Sequence, residues 1–209
     1  MASSARSTTS RARSAPRKRS KAGPRLGIGA LLIGLALVIA VVYGISRLDV
    51  GDTISEFTLP LRHEDIIRQQ AEEKGVEADL IAAVIYAESR FSDQTSTAGA
   101  RGLMQITPET ADTIETLSGG ETFVYEDLAN PDLNIRYGTF LLAHLLEIYD
   151  GNEVAALAAY NAGSGNVDKW GGAALELDDI EFPETRHYVE EVLDKQQAYR
   201  KKYADELGL

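Results

Sequence analysis

The chain has 209 residues, enough for one domain of moderate size with extensions. Its net charge of -11 is unevenly spread: eight of the 21 basic residues lie in residues 1–25, which hold no acidic residue, so residues 26–209 carry 13 basic and 32 acidic side chains and a net charge of -19. A charge of this sign argues against nucleic-acid binding by the folded part. The absence of cysteine excludes thiol chemistry and cysteine-ligated metals.

The N-terminal region has the pattern of a membrane anchor. Residues 26–45 contain no charged side chain, and about 20 such residues are needed to cross a bilayer as a helix. The run is longer than a signal-peptide core and no small-residue cleavage site follows it, so residues 26–46 are interpreted as an uncleaved signal anchor, with a cleaved leader as the alternative. The positive-inside rule then predicts a cytoplasmic, disordered basic tail at residues 1–25 and an extracytoplasmic C-terminal domain.

After the anchor the pattern is helical, with almost no period-2 alternation. A polar linker at residues 47–61 includes Pro60, and the rest of the chain, residues 62–209, is interpreted as one all-α domain. Thr107 followed by Pro108 is typical of a helix start, and Gly75 and Gly163 are typical of helix ends. The predicted helices are about 62–74, 78–89, from Pro108, 132–149, from Asn152 to Gly163, and 184–205.

One acidic residue lies where an apolar residue is expected. Glu88 follows Ile81, Val84 and Ile85 at helical spacings of seven, four and three residues, which places it on the buried face of its helix. Burial disfavours the charged form and raises the pKa of a carboxyl group, as a general acid working near neutral pH requires. The alternative is a side chain that turns to solvent or pairs with Arg90 or Arg101.

Four motifs surround this residue in the chain. They are the pair Glu88-Ser89, the segment STAGARGLMQ at residues 96–105, the segment AYNAG beginning at Ala159, and ETRHYV at residues 184–189. Their order and content resemble the catalytic domain of soluble lytic murein transglycosylases, over about residues 62–203. The resemblance implies a goose-type-lysozyme-like helical fold and activity on the glycan strands of peptidoglycan, with no cofactor.

By this resemblance, Glu88 is the single catalytic acid and base in cleavage of the bond between N-acetylmuramic acid and N-acetylglucosamine. Most glycosidases use two carboxylates, but substrate-assisted families are exceptions. Here the substrate's 2-acetamido group would stabilise the developing oxocarbenium ion. The sugar's own 6-hydroxyl would then close on the anomeric carbon and form a 1,6-anhydromuramoyl end.

The resemblance also implies a set of substrate-binding residues. Either Ser89 or Ser96 would hold the glycan or its acetamido group, although Ser89 could equally cap its helix. Gly102 would let the backbone approach a sugar, and Met104 and Gln105 would line the groove. Further along the chain, the resemblance implies a hydrogen bond between Tyr160 and Glu88, contact of Asn161 with substrate, and roles for Glu184 and Tyr188 in completing the groove or holding Tyr160.

Several alternatives remain open from the sequence. A lysozyme would cleave the same bond with water, and an inactive wall-binding module would bind the strand without cleaving it. A metal site is not predicted, because His63, His144 and His187 lack ligand spacing. Trp170 could either stack on a sugar or fill the core. Because the domain is acidic, binding is predicted to depend only weakly on salt.

Overall fold

A computed structural model of the chain describes residues 59–97, 99–119 and 124–209. The predicted basic tail (1–25), the predicted anchor (26–46) and the predicted linker up to residue 58 lie outside the described residues. Within the described part of the chain, no helix is both long enough and apolar enough to cross a membrane.

The described residues form helices and short helical turns and no strand, which confirms the all-α prediction. Two isolated β-bridges lie in the loop that follows the second helix, where Arg101 pairs with Thr95 and with Ile106. The helices are α1 Glu64–Lys74, α2 Ala78–Ser89, α3 Pro108–Ser118, α4 Pro131–Ile148, α5 Glu153–Ala162, α6 Ser164–Trp170, α7 Pro183–Lys202 and α8 Ala204–Leu207, with 3-10 turns at Tyr125–Ala129, Gly172–Ala174 and Leu177–Asp179.

Most helix ends lie where the capping signals predicted them. The Thr107 side chain accepts a hydrogen bond from the backbone N–H of Thr110 at the start of α3, and Asn152 does the same for Ala155 at the start of α5. Helix α6 was not predicted, because the glycines around Ser164 suggest a loop rather than a helix start. It ends at Trp170, which is buried with 9% exposure, so the core role of this residue is the correct alternative.

Helix α2 is the centre of the core. The six residues Leu80–Ile85 are at most 1% exposed, so α2 contacts protein on nearly all sides. Its most extensive packing is against α7. The buried carboxylate of Asp79 on α2 accepts a hydrogen bond from the Nε of Arg200 on α7, which fixes one end of the pair. This packing places the other end of α2, which carries Glu88, beside the first turns of α7.

The packed domain includes the last residues of the predicted linker. Leu59 is 9% exposed, and its carbonyl oxygen accepts a hydrogen bond of 2.7 Å from the Tyr203 hydroxyl. The carbonyl oxygen of Pro60 accepts one of 2.6 Å from the Tyr199 hydroxyl. The domain therefore includes residues from Leu59 onward, whereas the sequence placed its start at residue 62.

Candidate active site

A cavity of about 830 Å³ opens beside the C-terminal end of α2. Its walls come from α2, α3, α4, α5, the first residue of α6, the first turn of α7 and the loop before α3. Most of the lining residues have polar side chains. The described lining residues are Glu88, Ala100, Gln105, Ile106, Thr107, Glu109, Thr110, Thr113, Leu141, Leu145, Ala159, Tyr160, Asn161, Ala162, Gly163, Ser164 and Glu184.

Glu88 lies in the last turn of α2, half-buried, and faces this cavity. Burial raises its pKa to about 7 from the usual 4.5, and the Tyr188 hydroxyl partly offsets that rise. The raised pKa confirms the expectation from its position on the apolar face. The alternative ion pairs are not formed, because Arg90 pairs with Glu191 at 3.5 Å and the Arg101 guanidinium lies over the ring of Tyr125.

The tyrosine beside Glu88 differs from the one that the resemblance implied. The Tyr160 hydroxyl donates its hydrogen to the carbonyl oxygen of Met104 at 3.0 Å, so it does not donate to Glu88. The Tyr188 hydroxyl is buried next to the carboxyl group without reaching full hydrogen-bond geometry with any described residue. Burial and the negative charge of Glu88 raise the pKa of both phenols well above their usual value, so both stay protonated.

Two serine side chains form hydrogen bonds to the backbone of the loop that follows α2. The Ser89 hydroxyl is buried and donates to the carbonyl oxygen of Leu103 at 2.7 Å, so it ties the helix end to the loop and is not exposed to substrate. The Ser96 hydroxyl accepts from the backbone N–H of Ala100, a residue of the cavity wall, at 3.0 Å. Ser89 is therefore not placed to hold a glycan, whereas a role of the half-buried Ser96 stays a prediction.

Two further predictions for this loop are wrong. The Met104 side chain is fully buried, packed against Gly138 of α4, so it does not line the groove. Gly102 has a φ of +78°, and a Cβ there would lie 2.2 Å from the side-chain nitrogen of Asn134. The missing side chain at Gly102 therefore makes room for Asn134 and not for a sugar.

Asn134 on α4 is the residue that sequence reasoning missed. It is fully buried, and its Oδ1 accepts from the backbone N–H of Met104 at 2.7 Å. Its Nδ2 donates to the carbonyl oxygens of Arg101 at 2.9 Å and Leu128 at 3.0 Å. The sequence did contain a signal for this residue, because a polar side chain next to Ile135 lies on the predicted buried face of α4. The same kind of signal identified Glu88.

Three of the predicted substrate-binding residues present hydrogen-bonding groups on the cavity wall. Gln105 donates both amide hydrogens to the backbone, to the carbonyl oxygens of Gln94 at 3.0 Å and Gly102 at 2.8 Å, so only its Oε1 remains for a substrate. Asn161 and Glu184 are exposed on the cavity wall, as a substrate-binding role requires.

Comparison with known proteins identifies the family of this domain. The family model of the transglycosylase SLT domain matches residues 65–183, more than half of the chain, and includes Glu88 and the cavity walls up to the start of α7. The chain belongs to the transglycosylase SLT domain family. The similar solved structures carry the same lysozyme-like helical fold.

The relatives of this SLT domain are soluble and membrane-bound enzymes. The soluble lytic murein transglycosylase of Salmonella typhimurium is 34% identical over 154 residues, which cover 69% of this chain and 24% of that protein. Membrane-bound lytic murein transglycosylase C of Glaesserella parasuis is 31% identical over 141 residues, which cover 58% of this chain and 39% of that protein. The chain therefore spans about a quarter of the soluble relative's length.

Two solved structures resemble the SLT domain closely. The first is an inactive glutamate-to-glutamine mutant of the lytic transglycosylase Slt of Pseudomonas aeruginosa, with a TM-score of 0.66, 34% identity, and coverage of 71% of this chain and 25% of that one. The second is the 70 kDa soluble lytic transglycosylase of Escherichia coli, with a TM-score of 0.66, 32% identity, and coverage of 70% of this chain and 25% of that one.

Replacing Tyr188 by phenylalanine in the SLT domain is expected to move the alkaline limb of activity to higher pH. The Tyr188 hydroxyl lowers the pKa of Glu88, so its removal raises that pKa and keeps the acid protonated further into the alkaline range. The loss below neutral pH should stay under about tenfold, because the Tyr188 hydroxyl can give the carboxylate at most one hydrogen bond, which contributes about 1 kcal/mol. The measurement is the pH profile of kcat/KM for cleavage of a glycan substrate.

Tyr160→Phe is the matched control, because its hydroxyl donates to a backbone carbonyl and not to Glu88. Its alkaline limb should coincide with that of the wild type. An equal displacement in both variants, or none in Tyr188→Phe, would rule out a specific effect of Tyr188 on Glu88.

Proposed function

We propose that the chain is a peptidoglycan lytic transglycosylase, a lyase that cleaves the β-1,4 bond between N-acetylmuramic acid and N-acetylglucosamine. The observation that carries this proposal is a single carboxyl group, Glu88, with a pKa of about 7 at the wall of a cavity large enough for sugar rings. Membership of the SLT domain family and the names of the relatives support the reaction type and the substrate.

The proposed mechanism uses Glu88 twice. Protonated Glu88 donates its proton to the glycosidic oxygen, the bond to the anomeric carbon breaks, and the substrate's 2-acetamido oxygen stabilises the resulting positive charge. The Glu88 carboxylate then takes the proton of the muramic acid 6-hydroxyl as that oxygen bonds to the anomeric carbon. Glu88 ends protonated and ready for the next cycle, and no water is consumed.

The surroundings of Glu88 suit both steps. With a pKa of about 7, the carboxyl group is largely protonated in mildly acidic conditions and still basic enough to remove a proton from a hydroxyl group in the second step. Tyr188 offers a buried hydroxyl that can donate to the carboxylate formed after the first step. We infer that it stabilises this charged form, consistent with the direction in which it moves the pKa of Glu88.

A hydrolase of the lysozyme type is the second candidate, and one observation favours it. Glu109 and Glu184 line the same cavity, so further acids are present that could activate water. Against it, neither Glu109 nor Glu184 is among the groups that shift the pKa of Glu88, which burial raises and Tyr188 lowers. The two reactions differ by one water molecule in the product.

We also propose that residues 26–46 anchor the chain in the cell membrane with a single pass. The basic tail would lie in the cytoplasm and the SLT domain on the extracytoplasmic side, where it meets peptidoglycan strands. The uncharged run of twenty residues and the eight basic residues before it support this orientation. The name of one relative, membrane-bound lytic murein transglycosylase C of Glaesserella parasuis, supports a membrane-bound form.

The product decides the function. Full-length chain in detergent would be incubated with purified peptidoglycan, and the released muropeptides would be identified by mass spectrometry. Anhydro-muropeptides, lighter by one water molecule than the corresponding reducing ends, are expected. Reducing ends would establish the hydrolase instead, and binding to peptidoglycan without any release would favour a wall-binding module.

A further inference from the structure

Several described side chains on the cavity wall can accept hydrogen bonds but have no hydrogen left to donate. Several lining side chains have already donated their hydrogens within the protein: Gln105 to two backbone carbonyls, Tyr160 to Met104, and Thr113 to the carbonyl oxygen of Glu109 at 2.9 Å. Their free lone pairs, together with the carboxylates of Glu109 and Glu184, can accept from sugar hydroxyls but cannot donate.

A sugar strand also carries acceptors that need a donor. The strongest neutral acceptors on an N-acetylated glycan are the carbonyl oxygens of its acetamido groups, and burial without a donor would cost binding free energy. Asn161 can supply two amide hydrogens to such an oxygen, provided that its nitrogen and not its oxygen faces the cavity.

The second side chain of the late motif contacts one end of that amide. The buried Thr185 hydroxyl donates to the Asn161 Oδ1 at 2.8 Å, so it occupies the oxygen end of the amide. Asn161 itself is exposed on the cavity wall, which leaves its Nδ2 available to a ligand. Thr185 is 3% exposed and lies on α7 one residue after Glu184, a residue of the cavity wall. Its hydroxyl is therefore held by α7 on the buried side of Asn161.

We propose that Thr185 is a positioning residue, whose hydroxyl orients the Asn161 amide so that its nitrogen donates to an acetamido carbonyl oxygen of the glycan. This inference rests on the proposed function for the identity of the ligand. The Asn161 amide thereby becomes an oriented neutral donor in a cavity whose other lining groups mostly accept. Rotation of the amide by a half-turn would present a further acceptor and leave the glycan carbonyl unpaired.

The role is separable from the proton chemistry. The pKa of Glu88 is accounted for by burial and by Tyr188, so the Thr185–Asn161 pair has no part in setting it. Loss of the Thr185 hydroxyl should therefore weaken substrate binding and leave the pH profile where it is. A general disturbance of α7 would instead move Tyr188 and shift the alkaline limb.

The test compares Thr185→Val, which keeps the shape of the side chain but not the hydroxyl, with Thr185→Ser, which keeps the hydroxyl. In the full-length chain, Thr185→Val is expected to lower kcat/KM about tenfold, mainly through KM, with an unchanged alkaline limb. Thr185→Ser should recover most of that loss. The substrate is a defined N-acetylated glycan strand prepared from peptidoglycan.

A double-mutant cycle with Asn161→Ala completes the test. If Thr185 acts through Asn161, adding Thr185→Val to Asn161→Ala should lower kcat/KM no further. Full additivity of the two losses, an unchanged KM in Thr185→Val, or a shifted alkaline limb that serine does not restore would each overturn the proposal. Failure of the proposed function would show separately, as a wild type that releases no anhydro product.

Discussion

Replacement of Glu88 by glutamine is expected to lower cleavage of peptidoglycan by at least about 1000-fold while the domain stays folded and still binds the glycan. Glutamine has the same shape but can neither donate a proton to the glycosidic oxygen nor take one from the 6-hydroxyl. Among the described residues of the cavity wall, Glu88 is the only half-buried carboxyl group, whereas Glu109 and Glu184 are exposed, so neither of them should replace it as the acid. The measurement is the rate of muropeptide release from purified peptidoglycan by the full-length variant.

The same substitution should stabilise the domain at and above neutral pH. A carboxyl group whose pKa is about 7 in the folded state and 4.5 unfolded binds its proton more tightly when folded. Its contribution to the unfolding free energy is fully present below pH 4.5 and falls by about 1.4 kcal/mol per pH unit until the pH reaches about 7. Between pH 4.5 and 7 the wild type therefore loses up to about 3 kcal/mol of unfolding free energy that Glu88→Gln does not lose.

Urea unfolding of both proteins at several pH values measures this difference. The gap in unfolding free energy in favour of Glu88→Gln should widen between pH 4.5 and 7 and then stay constant. Glu147→Gln, a change of an exposed residue on α4, is the control and should follow the wild type across the range. A Glu88→Gln protein with wild-type cleavage, or a gap that narrows with rising pH, would contradict the assigned role.

The helices and the central acid were predictable because they depend on local spacing. The apolar period placed Glu88 on the buried face, and capping signals such as Thr107 placed the helix starts. Helix α6 was missed because the glycines around Ser164 hide its beginning, and its stability comes from the buried Val167 and Trp170. Packing of these two side chains against the core cannot be inferred from local sequence signals.

The details of the site depend on how distant elements meet, and the sequence does not contain that information. Which tyrosine reaches Glu88 is decided by the crossing of α2 and α7, and the structure brings Tyr188 there while Tyr160 turns to a loop carbonyl. The role of Gly102 likewise follows from contact with Asn134, 32 residues further along the chain. A motif identifies residues that belong together without saying which of them contacts the substrate.

Asn134→Ala is expected to be among the most damaging substitutions in the domain, at about 3–5 kcal/mol of unfolding free energy. The change removes three hydrogen bonds at once. It leaves the backbone N–H of Met104 and the carbonyl oxygen of Leu128 without these partners in the interior, while the Arg101 carbonyl keeps its hydrogen bond from the N–H of Ile106. The carbonyl oxygen of Met104 also accepts a hydrogen bond from the Tyr160 hydroxyl, so the disturbance reaches the cavity. Cleavage should therefore fall more than tenfold even where the variant is folded.

Asn130→Ala is the matched control, since it removes the same side chain at the start of the same helix. Asn130 caps α4 by accepting from the N–H of Asp132 at 2.9 Å, an exposed interaction whose loss costs about 1 kcal/mol and should leave cleavage unchanged. Urea unfolding and muropeptide release would be measured for both variants. Equal destabilisation by the two substitutions would mean that Asn134 does not hold the loop, because the cost of an unpaired buried group would then be missing.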